Sequence, residues 1–215
     1  ALLLLQVAQH RAESLVMASV SFLGSIIICA LPEWRVTKIQ DLGSDDFYVI
    51  SEGLWKFCYT TRTYDSVPEC GTYDSEYVSI TQDLEVVRVL IVIGIIVGFI
   101  GILLHVAGSK FFNFVPDDMK KSKMVMASGV VLLIAGLFVL ISVCWITNTI
   151  NDNFENYLSP DSTDSLKRKL GTSVYIGWIT TVLWFLGGGL LCSSFFSPPG
   201  VFKAVSLKNS IHYHH

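Results

Sequence analysis

The amino-acid sequence predicts an α-helical membrane protein, a bundle of four transmembrane helices with a small extracellular antiparallel β-sheet. Charged residues make up only 15% of the chain, whereas a soluble domain usually contains about 25%. Four apolar stretches are long enough to cross a bilayer, which takes about 17–25 residues. Between the first two stretches lies a long polar segment with β-forming runs and two cysteines. Together these features favour a multi-pass membrane protein over a soluble one.

The apolar stretches set the order of the predicted segments. A polar run separates the first span from the leucines near the N-terminus, which we expect to form a cytosolic or interfacial lead-in over residues 1–14. These leucines are too few for a span of their own. The four predicted spans are 15–31, 86–107, 124–146 and 173–196. The segments between and after them are 32–85, 108–123, 147–172 and 197–215.

Glycines in the spans predict close approach between helices. In lipid, helices associate through close packing of small residues, because lipid tails are as apolar as the side chains. Gly94 and Gly98 form a G-x-x-x-G pair, and Gly101 extends the same face. Further close contacts are predicted at Gly136 and at 187–189.

The cysteines decide which side of the membrane each segment occupies. Lys and Arg are equally numerous on both sides, although they are denser and closer to the membrane in 1–14, 108–123 and the tail, which favours the cytosol for these segments. Cys58 and Cys70 are the only cysteines of segment 32–85. Such a lone pair in a polar segment predicts a disulfide and therefore an oxidising, extracellular side. Both termini are then cytosolic.

Segment 32–85 is predicted to fold into the extracellular sheet. Residues 35–39 and 47–50 are rich in β-forming residues, and 54–59 alternates loosely between apolar and polar residues. Turn-forming residues at 43–46 and 67–69 separate these runs. A disulfide that closes a loop of this length contributes about 3 kcal/mol on the chain-entropy account, which matters for a sheet with little core of its own.

The residues that would carry catalysis are missing from the sequence. The five histidines are scattered between the tails and one helix end, and no H-E-x-x-H, G-x-S-x-G or phosphate-binding glycine loop is present. The sequence therefore predicts no enzyme, no cofactor and no metal site. A net charge of −3 also makes nucleic acid an improbable partner.

A set of motifs in this sequence resembles the claudin family, within the wider superfamily of PMP22, EMP and claudin proteins. Trp34, then Gly53-Leu54-Trp55, then Cys58 and Cys70 reproduce the W…GLW…C…C signature, and Arg88 falls where the family has an Arg at the start of the second span. The similarity extends to residues 30–36, 73–75, 82–84, 135–137, 171–178 and 187–192.

The resemblance implies a fold and a function. The family fold is a left-handed four-helix bundle under a five-stranded extracellular sheet. Claudins lie in the plasma membrane at tight junctions, where they assemble with other claudins in cis and in trans, surrounded by membrane lipids. Their sheets seal the paracellular gap or form charge-selective pores in it. We expect Trp34 and Trp55 to be structural residues at the junction of sheet and bundle. We expect Arg88 to be a structural anchor that either reaches the membrane interface or pairs with Glu85 or another outer carboxylate.

Two positions that often set pore selectivity in the family are neutral here. These are Thr61, three residues after the first cysteine, and Gly71, directly after the second. Segment 32–85 holds eleven acidic residues against four basic ones. We therefore hypothesise a weak cation preference from a diffuse field, screened over about 8 Å at physiological salt; the alternative is an acidic surface that is merely solvated. The acids nearest these positions are Asp65, Glu69 and Asp74.

The family's side-by-side contact is also altered. In claudins an apolar side chain six residues after the second cysteine inserts between aromatic residues of a neighbour's second loop. The matching residues here are Glu76 and the pair Phe154-Glu155. Burying an unpaired Glu76 would cost several kcal/mol or raise its pKa. We expect this chain to polymerise differently or poorly.

Partners that depend on the second loop and the tail follow from the same resemblance. Asn156, Leu158 and Pro160 match the stretch that binds clostridial enterotoxin in some claudins, whereas Tyr157 replaces its proline and Ser159 completes the run. The final Tyr213-His214-His215 does not fit the PDZ pocket that the family's usual Tyr-Val ending occupies.

A second function belongs to the same superfamily. Calcium-channel gamma subunits and peripheral myelin proteins share the W…GLW…C…C signature. The alternative is therefore an auxiliary subunit of an ion channel, or another non-junctional tetraspan, which would bind its partner within one membrane.

Overall fold

The computed structural model describes residues 2–40, 47–61, 67–73, 80–108, 118–156 and 166–193. Four α-helices lie in these ranges: α1 Leu2–Ala30, α2 Gln82–Gly108, α3 Asp118–Asn156 and α4 Thr172–Ser193. Each contains a stretch long and apolar enough to cross a membrane, namely Gln9–Ala30, Gln82–Gly108, Lys123–Asn151 and Thr172–Ser193. The predicted four-span architecture is confirmed.

Three helices are longer than the predicted spans, and α2 begins four residues before its predicted span, at Gln82. The leucines of the predicted lead-in are helical and continue into the span within α1, because the polar run after them contains no glycine or proline that would end a helix. Likewise α3 continues ten residues beyond the predicted end of the third span, to Asn156. The hydroxyls of Thr147 and Thr149 there donate to the carbonyls four residues earlier, so these polar residues are accommodated within the helix.

The sheet contains five antiparallel strands, as the resemblance implied. They are β1 Arg35–Gln40, β2 Phe47–Glu52, β3 Lys56–Thr61, β4 Glu69–Thr72 and β5 Leu166–Leu170. Their order is β4-β3-β2-β1-β5, so the last strand pairs with the first. The sheet lies at the end of the bundle where α1 and α3 finish and α2 and α4 begin.

A single indole lies at the centre of the bundle and contacts the other three helices. Trp184 of α4 is fully buried and its Nε1 donates to Ser25 Oγ of α1 at 3.1 Å. On α2, a Cβ added to Gly98 would lie 2.6 Å from the indole ring. On α3, a Cβ added to Gly136 would lie 2.9 Å from the Cβ of Trp184. The ring therefore occupies space that only glycine leaves open, which confirms the predicted close approach.

The other glycines of the spans divide into contact and non-contact positions. Gly94 faces Phe138 and Ala135 of α3, whereas Gly101 faces Leu132 of the same helix. Within the triplet 187–189, the first glycine faces α1 and the second faces α3. Gly189 has open space around the position of a Cβ, so it does not contribute to helix packing.

We predict that Gly98→Ala destabilises the bundle by about 1–3 kcal/mol, because the added methyl group overlaps the Trp184 ring, which Ser25 and Gly136 confine from the other sides. Gly189→Ala is the matched control and should leave stability unchanged or raise it slightly through better helix propensity. Thermal unfolding of the detergent-purified variants measures both. Equal melting temperatures for the two variants would contradict the packing role of Gly98.

Candidate functional site at the sheet end of the bundle

The first contact between sheet and bundle is made by Trp34. Its side chain is fully buried, and its Nε1 donates to the carbonyl of Ile28 near the end of α1 at 2.8 Å. Its backbone N–H donates to the carbonyl of Glu52 at the end of β2, and its carbonyl accepts from Gly171 before α4. Trp34 thus links the end of α1, the end of β2 and the residue that connects β5 to α4.

Gly171 permits this arrangement. An added Cβ would collide with the backbone of Glu33, and the Glu33 carbonyl also accepts from the backbone N–H of Ser173 at 3.0 Å. The start of α4 is therefore held directly against the backbone that precedes β1. The chain can approach so closely only where no side chain intervenes.

The Gly53-Leu54-Trp55 turn forms the second contact. A Cβ on Gly53 would overlap the backbone of Pro32, and Leu54 is fully buried. The hydroxyl of Tyr73 donates to the carbonyl of Gly53 at 2.9 Å. Burial, followed by the charge of Glu52, raises the pKa of Tyr73 to about 12, so the phenol keeps its proton and this hydrogen bond across the physiological range.

Arg88 of α2 ties the same turn to the bundle. Its Nε donates to the carbonyl of Leu54 at 2.7 Å, and its guanidinium lies 4.8 Å from the centre of the Trp55 ring. The expectation that Glu85 pairs with Arg88 is replaced by these contacts, since the turn brings a carbonyl and an aromatic face to the guanidinium. Trp55 remains half-exposed and donates to the Sγ of Cys29 in α1.

Arg35 is a residue of this junction that the sequence analysis did not single out. It is 4% exposed and lies 3.7 Å from carboxylate oxygens of both Glu52 and Asp83. A buried charge is retained only when it is compensated, and these two acids supply the compensation. No local sequence pattern identifies Arg35, Glu52 and Asp83 as a group, because they come from β1, β2 and α2.

The predicted disulfide is confirmed. Cys58 of β3 and Cys70 of β4 face each other in register and are bonded, with their Cα atoms 4.1 Å apart. Beside it, the rings of Phe57 and Tyr73 are 5.7 Å apart. The bond fixes the short edge strand β4, which has only four residues to hold it in the sheet.

The candidate selectivity residues fall at one edge of the sheet. Thr61 ends β3, and Gly71 in β4 lies against the Phe57 ring. Glu69 is exposed at the start of β4 and accepts a hydrogen bond from the hydroxyl of Tyr59. This hydrogen bond and the carboxylate charge raise the pKa of Tyr59. Glu69 therefore places a negative charge on the open edge.

The opposite edge carries positive charge. Lys169 of β5 is exposed and Arg168 is half-buried, and both pair in register with β1. Strand β5 was missed from its sequence because Leu166-Lys167-Arg168-Lys169-Leu170 contains three consecutive basic residues and lacks β-branched side chains. Pairing with β1 supplies the missing stability. The sheet is thus acidic along β4 and basic along β5.

Several predicted site residues have no described side chain. Asp65, Asp74 and Glu76 lie outside the described residues, as do Tyr157, Leu158, Ser159 and Pro160. The backbone at Phe154, Glu155 and Asn156 forms the last turn of α3. Their proposed roles in assembly and toxin binding stay predictions.

The architecture defines the class: a four-span membrane protein whose disulfide-closed sheet is mounted on one end of the bundle. The model of the PMP-22/EMP/MP20/Claudin family matches residues 12–191. Claudin-4 of Bos taurus is 41% identical over 194 residues, covering 90% of this chain and 89% of the relative. The claudin-like protein ZF-A89 of Danio rerio is 40% identical over 195 residues, covering 91% and 90%. Claudin-3 of Homo sapiens is 37% identical over 192 residues, covering 89% and 84%.

The chain belongs to the PMP-22/EMP/MP20/Claudin family, and its relatives make it a claudin-type tetraspan. It is a structural protein and not an enzyme. The residues that attach the sheet to the bundle, Trp34, Gly53, Leu54, Trp55 and Arg88, are the ones that carried the family resemblance.

We predict that Trp34→Phe costs about 1–3 kcal/mol of stability, because the buried Ile28 carbonyl loses its indole donor. Trp145→Phe is the matched control: its indole also donates one hydrogen bond, to Asp83 at 3.2 Å, but at an exposed position, so we expect a change below about 0.5 kcal/mol. Thermal unfolding in detergent compares the two. Similar losses in both variants would mean that burial of the Trp34 hydrogen bond is not what holds the sheet.

Proposed function

We propose that this chain is a tight-junction protein that forms paracellular barriers or charge-selective paracellular channels by assembly of its extracellular sheet in cis and in trans. The observation that carries the proposal is the mounting of the sheet. Two family motifs, the Trp34 region and the Gly53-Leu54-Trp55 turn, fix the sheet to three helices through backbone hydrogen bonds and buried side chains. Similarity to claudins over about nine-tenths of the chain supports it.

A fixed sheet suits an adhesive barrier. Copies in one membrane would present their sheets at the same height and angle, so that edges of neighbouring sheets meet in register. A sheet that moved freely on its bundle would lose conformational entropy on every contact, which weakens assembly. The hydrogen bonds at Trp34 and Arg88 have already restricted that motion before any partner is met.

The orientation proposed for this function places the sheet outside the cell. The Cys58–Cys70 disulfide supports it, because disulfides form and persist on the oxidising side of the plasma membrane. The four spans then place both termini in the cytosol. The chain would act at the plasma membrane, with other claudins as its partners.

We also propose a weak cation preference. Thr61 and Gly71 offer no charge, so selectivity would come from the field of the β4 edge, to which Glu69 contributes from an exposed position. Asp65 and Asp74 would add to that field. Three strands separate the basic residues of β5 from the β4 edge, and salt would screen their charge there.

We predict that expression in epithelial cells lacking endogenous claudins raises transepithelial resistance or creates a conductance that favours sodium over chloride in dilution-potential measurements. Glu69→Gln should lower the sodium preference, because it removes a charge from the β4 edge. Glu85→Gln removes an equally exposed acid from the start of α2 and is the matched control with little expected change. Chloride preference in the unmodified chain would refute the acidic-field proposal. Unchanged resistance despite surface expression would favour the auxiliary channel subunit.

Lateral assembly is proposed to be limited by Glu76, whose position in the family carries an inserting apolar side chain. We predict that Glu76→Met increases the length and continuity of strands in freeze-fracture images of transfected fibroblasts, because an unpaired carboxylate is costly to bury. Glu69→Met, which adds the same side chain to the exposed β4 edge, is the control and should not do so. Continuous strands formed by the unmodified chain would contradict the proposal.

Clostridial enterotoxin is proposed as an external partner of residues 156–160, on the partial match to the stretch that binds it in some claudins. A pull-down with purified toxin tests this, and absence of binding at micromolar toxin would end it.

A further inference from the structure

At the end of the bundle opposite the sheet, two basic side chains each keep a buried nitrogen without a hydrogen-bond partner in the described part of the chain. His105, in the last turn of α2, is 1% exposed, and its Nδ1 has no partner. Arg11, near the start of the α1 span, is half-buried, and its buried Nε is also unsatisfied. The two residues lie in terminal turns of the α1 span and of α2, two helices that pack against each other, at the same end of the bundle.

Nothing in the described part of the chain neutralises this region. The ion pairs there do not include Arg11: Glu13 lies 3.7 Å from His10 Nδ1 and accepts a hydrogen bond from Gln9. The hydroxyl of Ser14 donates to the carbonyl of Arg11 and so is committed to the backbone. A half-buried guanidinium without an anion carries a desolvation cost that a bound anion would offset.

The depth of the two residues identifies the kind of anion that can reach them. The helix α2 contains 27 residues and is therefore roughly 40 Å long at 1.5 Å per residue. The hydrocarbon core of a bilayer is about 30 Å thick, so the terminal turns of such a helix lie among the lipid headgroups. His105 is in the last turn of α2, and Arg11 is in the first turn of the span Gln9–Ala30. Both would therefore lie close to the level of lipid phosphates.

We propose that Arg11 and His105 form a binding site for the phosphate group of an anionic lipid in the leaflet opposite the sheet. Arg11 supplies the charge and guanidinium N–H donors, which suit phosphate oxygens. His105 supplies a ring nitrogen fixed by burial. Lipid tails would cover the apolar surface beside the site, which soluble phosphate could not do. The inference does not depend on the junctional function.

The test is native mass spectrometry of the full chain in detergent, titrated with phosphatidylglycerol or with phosphatidylcholine. The expected result is at least about 10-fold tighter binding of phosphatidylglycerol, because the choline cation of phosphatidylcholine offsets its phosphate charge and is repelled by Arg11. Arg11→Gln should remove that preference, His105→Gln should reduce it, and Arg11→Lys should retain part of it. Lys123→Gln, an exposed cation at the same end of the bundle, is the matched control and should leave it intact.

Each outcome decides the proposal. Equal binding of the two lipids by the unmodified chain overturns it without any variant, even where Arg11→Gln fails to fold. Equal losses in Arg11→Gln and Lys123→Gln overturn it as well, because the preference would then reflect general charge. Displacement of phosphatidylglycerol by excess inorganic phosphate would identify a soluble anion as the ligand and overturn the lipid assignment, whereas retention of the lipid supports it.

Discussion

The burial of Trp34 is the constraint on which the working surface of this protein depends. A single residue uses its indole N–H to hold the end of α1, its backbone N–H to hold β2 and its carbonyl to hold the start of α4. A five-stranded sheet with one open face has a small hydrophobic core, so contacts with the helices beneath it are needed to stabilise it. The Gly53 turn and Arg88 then prevent rotation about that attachment by adding contacts to Pro32 and α2.

The bundle supports this attachment through a second buried indole. Trp184 contacts helices α1, α2 and α3 from α4, and it fits because Gly98 and Gly136 leave room for its ring. Its N–H is satisfied by Ser25, as a buried indole requires in a membrane interior without water. In lipid, the burial of apolar surface from water does not drive helices together. The close packing of Trp184 against Gly98 and Gly136 therefore fixes the positions of the helices. The helix ends that receive the sheet are fixed as a consequence.

The spans, the disulfide and most of the sheet were predictable because their signals are local or compositional. Long apolar runs predict membrane spans, and the isolated pair of Cys58 and Cys70 in a polar segment predicted the disulfide. Strand β5 was missed because its basic sequence resembles a loop until β1 pairs with it, and the length of α3 was missed because hydropathy marks the membrane and not the end of a helix. Arg35 was missed for a third reason: its two acidic partners come from separate elements.

The cations at the two ends of the bundle are treated differently, and the difference is informative. At the sheet end, Arg35 lies within ion-pair distance of two carboxylates, although its Nε and Nη2 have no hydrogen-bond partner, and Arg88 has a carbonyl and an aromatic face. At the other end, Arg11 and His105 keep buried nitrogens without partners among the described residues. The Arg35 charge is therefore compensated by carboxylates of the chain, whereas the Arg11 charge has no described carboxylate beside it and would be compensated by an external anion. The charges at the sheet end are therefore compensated within the protein, whereas we propose that a lipid anion compensates the Arg11 charge at the opposite end.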